Sequence, residues 1–334
     1  MQRHYRRLST GVQFIRDREA GTGSICQERY IDQVAEVYKG KFQLKNTPIG
    51  KTQAERERFE NMKSGKESDS PPCSRTEYLG VLGTIGWPAD RTRPDLVVYF
   101  VILAHHMLNP TEENLAFAYH LLGYLVATKK YKITYGGRIR IPMGMHEVPP
   151  EYYSSNGLHA FSDSSWGKSP KPLGGFVVFL ANGPVDWEGK KLKIIPDSTC
   201  EAETAIGSRA TKSIMFVRAM MVYMTIPLFG PTLLGIDNEA MFKACRKEGT
   251  TARTRYFERS TTFVKEMALR RFIDLRLVST DDEVADIFTK AVAIDVHKKM
   301  AAHIYRTIDE VKEATMDKAK RMLEKLASIV RMYE

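Results

Sequence analysis

Apolar positions along the chain first alternate and then fall into helical spacing. Val12, Phe14 and Ile15 lead to the turn Ala20-Gly21-Thr22-Gly23, and Ser24-Ile25-Cys26 reads as a returning strand. Tyr30, Ile31, Val34, Val37 and Tyr38 then recur three and four apart, which predicts a helix. Residues 1–44 therefore read as a hairpin plus a helix, too little to bury a core alone. Residues 45–75 hold few large apolar groups, with Lys51-Thr-Gln-Ala-Glu-Arg-Glu-Arg followed by Lys63-Ser-Gly-Lys-Glu-Ser-Asp-Ser-Pro-Pro72. Burial cannot offset the entropy of ordering such a stretch, so a flexible linker is expected. Residues 76–150 read as helical. Tyr78, Leu79, Leu82 and Ile85 make one stripe, and Pro94 stands in the tolerated first turn of a second helix. Thr111-x-x-Asn114 opens a third, carrying Leu115, Ala118, Leu121, Leu122 and Leu125.

Over residues 157–292 the pattern becomes mixed. Leu158 to Asp163, Gly174 to Leu180 and the segment beginning Val185-Asp-Trp-Glu188 predict three strands, the last two joined at the hairpin signal Asn182-Gly183. A long helix from Ser198 to about Met224 follows, then a strand at Leu233 to Asp237, a short helix, and a basic helical stretch over about 254–270. A strand at Phe272 to Val278 and a helix from Asp282 to Lys290 complete it. The expected fold class is α/β: a mixed five-stranded sheet, three strands antiparallel and two joined through helices, flanked by helices and preceded by a small helical region. Residues 293–334 read as one amphipathic C-terminal helix with Ile304, Ile308, Val311, Ala319, Met322, Leu326 and Ile329 on its stripe. Packing on its own chain is one reading of that helix, and self-association through a coiled coil is the other.

Composition narrows the class. The chain has 334 residues, 43% hydrophobic and 27% charged, a globular balance. Its net charge of +10 favours a polyanionic partner. Cys26, Cys73, Cys200 and Cys245 form no C-x-x-C pair, which speaks against a cysteine zinc site and for an intracellular setting, cytoplasmic or nuclear. No signal core follows the basic N-terminus, and the longest apolar run, Leu96 to Leu108, is too short to span a bilayer. No membrane partner is expected.

The candidate chemistry is carboxylate. Asp163, Glu203, Asp237 and Asp286 lie where strand ends and helix starts would gather them, the place where open α/β sheets build sites. Gathered acids repel unless a cation neutralises them, and oxygen-only ligand sets suit Mg²⁺ or Mn²⁺. Two such ions about 4 Å apart serve phosphodiester hydrolysis. Ser198-x-x-Glu201 is a capping box, which gives Glu201 a structural task and leaves Glu203, roughly 200° further round the helix, free to face the acids. Thr280-x-x-Glu283 reads as a second capping box. Taken singly, each acid reads as a solvated surface group.

The order of short motifs selects among them. Ser162-Asp163-Ser164-Ser165-Trp166 resembles the S-D-x-x-W of the RNase H domain that ends copia-type retrotransposon polyproteins. Gly175-Phe-Val-Val-Phe-Leu and Gly183-Pro-Val-Asp-Trp187 resemble its G-Y-x-x-x-L and G-x-x-x-W strands. Ser198-Thr-Cys-Glu-Ala-Glu203 resembles S-S-x-E-A-E, Ile236-Asp237-Asn238-x-Ala240 resembles C-D-N-x-A, and Val284-Ala-Asp286-Ile-Phe-Thr-Lys290 resembles L-A-D-I-L-T-K. Upstream, Thr92-Arg-Pro-Asp95, Met107-x-x-Pro110 and Tyr124-Leu-x-x-Thr128 resemble that polyprotein too, and residues 14–38 resemble the end of a reverse-transcriptase palm.

The resemblance implies a polyprotein fragment with a remnant of the palm end over 1–44, a thumb- or connection-like region over 76–150 and an RNase H-like domain over 157–292. It implies an endonuclease that hydrolyses the RNA strand of RNA/DNA hybrids, with two Mg²⁺ or Mn²⁺ ions held by Asp163, Glu203, Asp237 and Asp286. Asp281-Asp282 is the only Asp-Asp pair and lies outside any Tyr-x-Asp-Asp turn, so no polymerase activity is expected. Lys243, Arg246, Lys247, Arg253, Arg255 and Arg259 are read as phosphate contacts to the hybrid, with a solvated helical face as the alternative. Tyr256 to Thr262 stands where the family has K-H-I-D-I-R-Y-H. The rival reading is accordingly a catalytically inactive, domesticated or decayed nucleic-acid-binding protein with the same fold.

Overall fold

The computed structural model describes residues 5–9, 11–166, 172–246 and 258–305. Its elements run β1 Tyr5–Ser9, β2 Val12–Asp17, β3 Thr22–Cys26, α1 Glu28–Val37, α2 Gln53–Glu60, α3 Arg75–Arg91, α4 Val97–Ala104, α5 Glu112–Ala127, β4 Ile133–Gly136 and α6 Pro150–Ser154. There follow β5 His159–Ser164, β6 Leu173–Leu180, β7 Gly183–Lys191, α7 Thr199–Tyr223, β8 Thr232–Ile236, α8 Glu239–Arg246, α9 Glu258–Leu269, β9 Ile273–Leu277 and α10 Ile294–Ile304.

The second sheet has the order β7-β6-β5-β8-β9. β5, β6 and β7 pair antiparallel, whereas β8 and β9 join parallel to β5 and to each other. This is the mixed five-stranded sheet expected from the sequence. Its inner strands β6 and β8 are near-continuous apolar runs because both of their faces are covered. One face packs on α7, α8 and α9 through Ala160, Phe176, Val178, Ile206, Ile214, Leu234 and Leu275. The other face, with Phe161, Val177, Phe179 and Leu233, shares a core with α1–α5, the 284–288 turn and α10. The upstream helices are thus packed against the sheet, and Trp187 of β7 donates its indole N–H to the Ala89 carbonyl of α3 at 3.0 Å.

Three expectations need correction. Residues 45–75 do not form a loose tether. Thr52 and Glu55 close a capping box on α2, and Ile49, Phe59 and Met62 sit in the core shared by the helices and the sheet. A few well-placed apolar groups suffice here because the surrounding core is already built by its neighbours; average composition hid them. Phe59→Ala should therefore cost about 3 kcal/mol in a urea unfolding titration, whereas a flexible linker would leave the midpoint unchanged. The segment from Asp282 to Lys290 forms no α-helix. Two 3₁₀ turns, Thr280–Asp282 and Val284–Phe288, replace it, and the Glu283 side chain caps Ala285 rather than closing a box with Thr280. The third correction concerns the hairpin of residues 12–26: β1 and β4 extend it to a four-stranded antiparallel sheet, so the helical region over 76–150 also supplies a strand.

Within the expected C-terminal helix, α10 buries His297, Met300, Ala301 and Ile304 against its own chain. The remainder of that helix, and with it the self-association reading, lies outside the described residues. Among the described residues no helix is long and apolar enough to cross a membrane.

Candidate metal centre

Asp163 and Asp237 meet because β5 and β8 are parallel neighbours. Phe161 pairs with Gly235, and two further residues along each chain bring the two carboxylates level at the same strand ends. Glu203 reaches this corner from α7, on one face of the sheet. Ser198 caps that helix by accepting from the Glu201 amide at 3.1 Å, and Glu201 bends back to accept from the Asp197 amide at 2.7 Å. Glu203 is left to turn inward, where its Oε1 accepts from the Ser164 amide at 3.2 Å and the Ser164 hydroxyl at 3.0 Å.

Asp286 arrives from the opposite face on the Val284–Phe288 turn. Gly175, paired with Asp163 across β5 and β6, admits that turn, since a methyl at Gly175 would fall 2.4 Å from Cβ of Phe288.

Oxygens of Asp163, Glu203 and Asp237 lie within 4.8 Å of one another, with the first two side chains buried. Asp163 accepts from the Thr289 hydroxyl, and Asp237 accepts from the Thr280 hydroxyl at 2.9 Å. Glu203 Oε2 is buried without a hydrogen-bond partner. A buried carboxylate oxygen left bare is costly, and a hard divalent cation is what an oxygen-only donor set of this kind accepts. The residues present fit such an ion.

Asp286 stands beside Asp163, but its Oδ1 pairs with Lys290 Nζ at 2.7 Å. Burial and the Asp163 charge push the Asp286 carboxyl up to about 8. Burial, then the charges of Asp163 and Asp237, raise Glu203 well above the usual carboxylate range. Asp237 is raised by burial and Asp163. Burial alone would lower the Lys290 ammonium, but Asp163 and Asp286 override it and raise it.

Two charged residues of this corner escaped the sequence reading. Glu283 is fully buried, raised by burial and then by Asp163, and its Oε2 has no partner. Capping explained it too readily; the apolar run Val284-Ala285 directly after it was the available sign of burial. Lys290 was visible only as the last letter of a motif.

The basic surface is less free than its composition implied. Lys243 pairs with Glu239 at 2.5 Å, and Arg246 lies 4.3 Å over the Phe242 ring and 3.9 Å from Asp274. Arg259 is exposed. Lys247, Arg253 and Arg255 lie outside the described residues.

No protein-family model matches the chain. It is 25% identical over 232 residues to the retrovirus-related Pol polyprotein from transposon RE1 of Arabidopsis thaliana, a match covering 69% of this chain and 15% of the relative. The corresponding polyprotein from transposon TNT 1-94 of Nicotiana tabacum is 21% identical over 284 residues, covering 84% of this chain and 20% of the relative. The chain thus spans about a seventh to a fifth of the length of these curated relatives. Among solved structures, RNase H1 from Halobacterium salinarum is 17% identical with a TM-score of 0.31, covering 40% of this chain and 93% of that one. The foamy viral protease-reverse transcriptase in complex with RNA/DNA hybrid is 12% identical with a TM-score of 0.30, covering 69% and 27%. The homologues of this chain are retrovirus-related Pol polyproteins of copia-type transposons, as its motifs imply.

Proposed function

We propose that this homologue of copia-type Pol polyproteins is a ribonuclease H-like endonuclease that hydrolyses the RNA strand of RNA/DNA hybrids with the help of divalent cations. The observation that carries the reading is the meeting of Asp163, Glu203 and Asp237 within 4.8 Å around a buried, unpartnered Glu203 oxygen. Asp163, Glu203 and Asp237 would hold one Mg²⁺ or Mn²⁺, and Asp286 with Asp163 would serve a second. When bound, such ions lower the pKa of attacking water and neutralise the leaving oxygen of a phosphodiester. The chain itself orients the acids. Ser164 fixes Glu203, Thr280 fixes Asp237 and Thr289 fixes Asp163, so each carboxylate is aimed before substrate arrives. Lys243, Arg246 and Arg259, with Lys247, Arg253 and Arg255, are proposed to follow the phosphate backbone. A hybrid would be told from duplex DNA by its 2′-hydroxyls.

The test is cleavage of an end-labelled RNA/DNA hybrid in Mg²⁺, with duplex DNA and single-stranded RNA as controls. Scission of the RNA strand in the hybrid alone is expected. One observation favours the rival reading of a non-catalytic nucleic-acid-binding protein: Asp286 is paired with Lys290, Nζ to Oδ1 at 2.7 Å. That reading expects salt-sensitive hybrid binding and no scission in either Mg²⁺ or Mn²⁺.

The acids also set a pH signature. Glu203, Asp237, Glu283 and Asp286 are all raised, Asp286 to about 8. Between the ordinary carboxylate value and about 8, the folded chain therefore holds more protons than the unfolded one, and stability falls as pH rises. Burial also lowers His105, His106, His120, His159, His297 and His303, which acts in the opposite sense but fades within about a pH unit above the ordinary histidine value, about 6.5. In EDTA the melting temperature should fall from pH 6.5 to 8.5. Millimolar Mg²⁺ should reduce that fall, because a ligand of the folded state alone stabilises it by mass action. Equal slopes with and without Mg²⁺ would count against the metal centre.

A further inference from the structure

We propose that Lys290 is a built-in counter-cation whose ammonium holds the place beside Asp286 that a second divalent ion would need. The chain then takes one divalent cation readily and a second only as Lys290 withdraws. This rests on the nuclease reading above and deepens it.

The geometry separates the four acids into a trio and a pair. Asp163, Glu203 and Asp237 satisfy the spacing of one ion among themselves. Asp286 is engaged instead with Lys290, Nζ to Oδ1 at 2.7 Å. The Asp286 side chain is only 5% exposed, so water screens the pair little from that side. Asp163 and Asp237 also act on the Lys290 charge, which places the ammonium in the field of the whole corner rather than of one partner.

An ammonium and a divalent ion cannot both lie against Asp286 without strong repulsion. Two charges a few ångströms apart at a partly buried site oppose each other by several times thermal energy. The ammonium offers single charge and no coordination sites, so it silences Asp286 without replacing a metal.

Lys290 has somewhere to go. Its side chain is 40% exposed and, like Asp286, lines a cleft of about 980 Å³. Arg56 and Glu57 of α2, Trp166 and Lys191 line the same space. A lysine stem with rotatable bonds can move its head into that cleft at small cost, as a planar arginine fork held by a carboxylate cannot. Displacement of the ammonium into the cleft leaves Asp286 bare beside Asp163.

Titration of the full chain with Mn²⁺, read by electron paramagnetic resonance of the free ion, tests this directly. Wild type should bind one ion first and a second at least about tenfold more weakly. Lys290→Met should strengthen the second step by about tenfold or more, and by clearly more than it strengthens the first. Lys290→Arg, which keeps the charge but resists withdrawal, should bind the second ion no more tightly than wild type. If Lys290→Met fails to fold by circular dichroism, Lys290→Gln takes its place with the same expectation. An unchanged second step in the neutral variants overturns the proposal, even where the first ion binds and is lost in Asp163→Asn. Absence of any Mn²⁺ binding, in wild type and variants alike, overturns the nuclease reading and this inference together.

Discussion

Asp163→Asn should lower hybrid cleavage by about 10²- to 10³-fold and at the same time raise the melting temperature of the metal-free protein. The first effect follows from losing a shared ligand, since metal stabilisation of a phosphoryl transition state is worth several kcal/mol. The second follows from position. Asp163 is only 3% exposed and its charge raises Glu203, Asp237, Glu283 and Asp286 together. Asparagine keeps the volume and an oxygen for the Thr289 hydroxyl, and Asp286 stays beside Lys290 to offset the attraction that Asp163 gave its ammonium. Removing one charge relieves repulsion against four neighbours, and each kcal/mol relieved raises the midpoint by roughly 1–2 °C in a chain of this size. Asp237→Asn should cut activity as deeply with a smaller thermal gain, because Asp237 is half-buried and bonded to Thr280. Full cleavage in either variant removes the catalytic assignment. A fall in melting temperature for metal-free Asp163→Asn removes the picture of a strained acidic corner, whatever the activity.

What could be read in advance follows from how local each signal is. In the second sheet β6 and β8 are apolar runs and β9 alternates, each bounded by turn residues, and the parallel step from β5 to β8 follows from the long helix between them. Asp163, Glu203 and Asp237 stand near element ends, but it is the order of the short motifs around them, not position alone, that singles them out. Strand β4 was not, because four residues, Ile-Thr-Tyr-Gly, carry too little pattern against a helical background. Phe59 and Ile49 were lost in a polar average, although one ring in a preformed core can order a whole segment. Glu283 and Lys290 were missed on different grounds. Their meaning comes from carboxylates on distant segments, and no spacing within residues 280–290 encodes that field.

The motif Thr92-Arg-Pro-Asp95 was likewise read as a helix start, and the structure gives it a heavier task. Arg93 and Asp95 are 1% and 0% exposed and form a two-pronged pair, Nε to Oδ1 at 2.9 Å and Nη2 to Oδ2 at 2.8 Å. Arg93 Nη2 also donates to the Thr128 hydroxyl at 2.7 Å. Tyr124 of α5 donates to Asp95 at 3.0 Å, and Tyr305, just past α10, donates to its other oxygen. One carboxylate therefore ties α5 and the end of α10 to the start of α4. Burial alone would raise Asp95, but the Arg93 charge overrides it and holds the carboxyl below its ordinary value.

Asp95→Ala should cost about 3–5 kcal/mol, the usual penalty for leaving a buried charge without its partner. The loss should appear as a lower urea midpoint with an unchanged slope. The sign of its pH dependence is fixed too. A depressed carboxyl stabilises the fold above its unfolded value near pH 4, and that contribution disappears as pH falls through the folded value. The gap between wild type and Asp95→Ala should thus be full at neutral pH and narrow in acid. Asp95→Asn, which keeps the acceptor oxygen for Tyr124 or Tyr305 but not the charge, should recover only part of the loss. A cost below about 1 kcal/mol for Asp95→Ala would mean that Arg93 finds water or carbonyl partners unaided, and that the Thr128 and Leu125 carbonyls beside its Nη1 suffice to hold it.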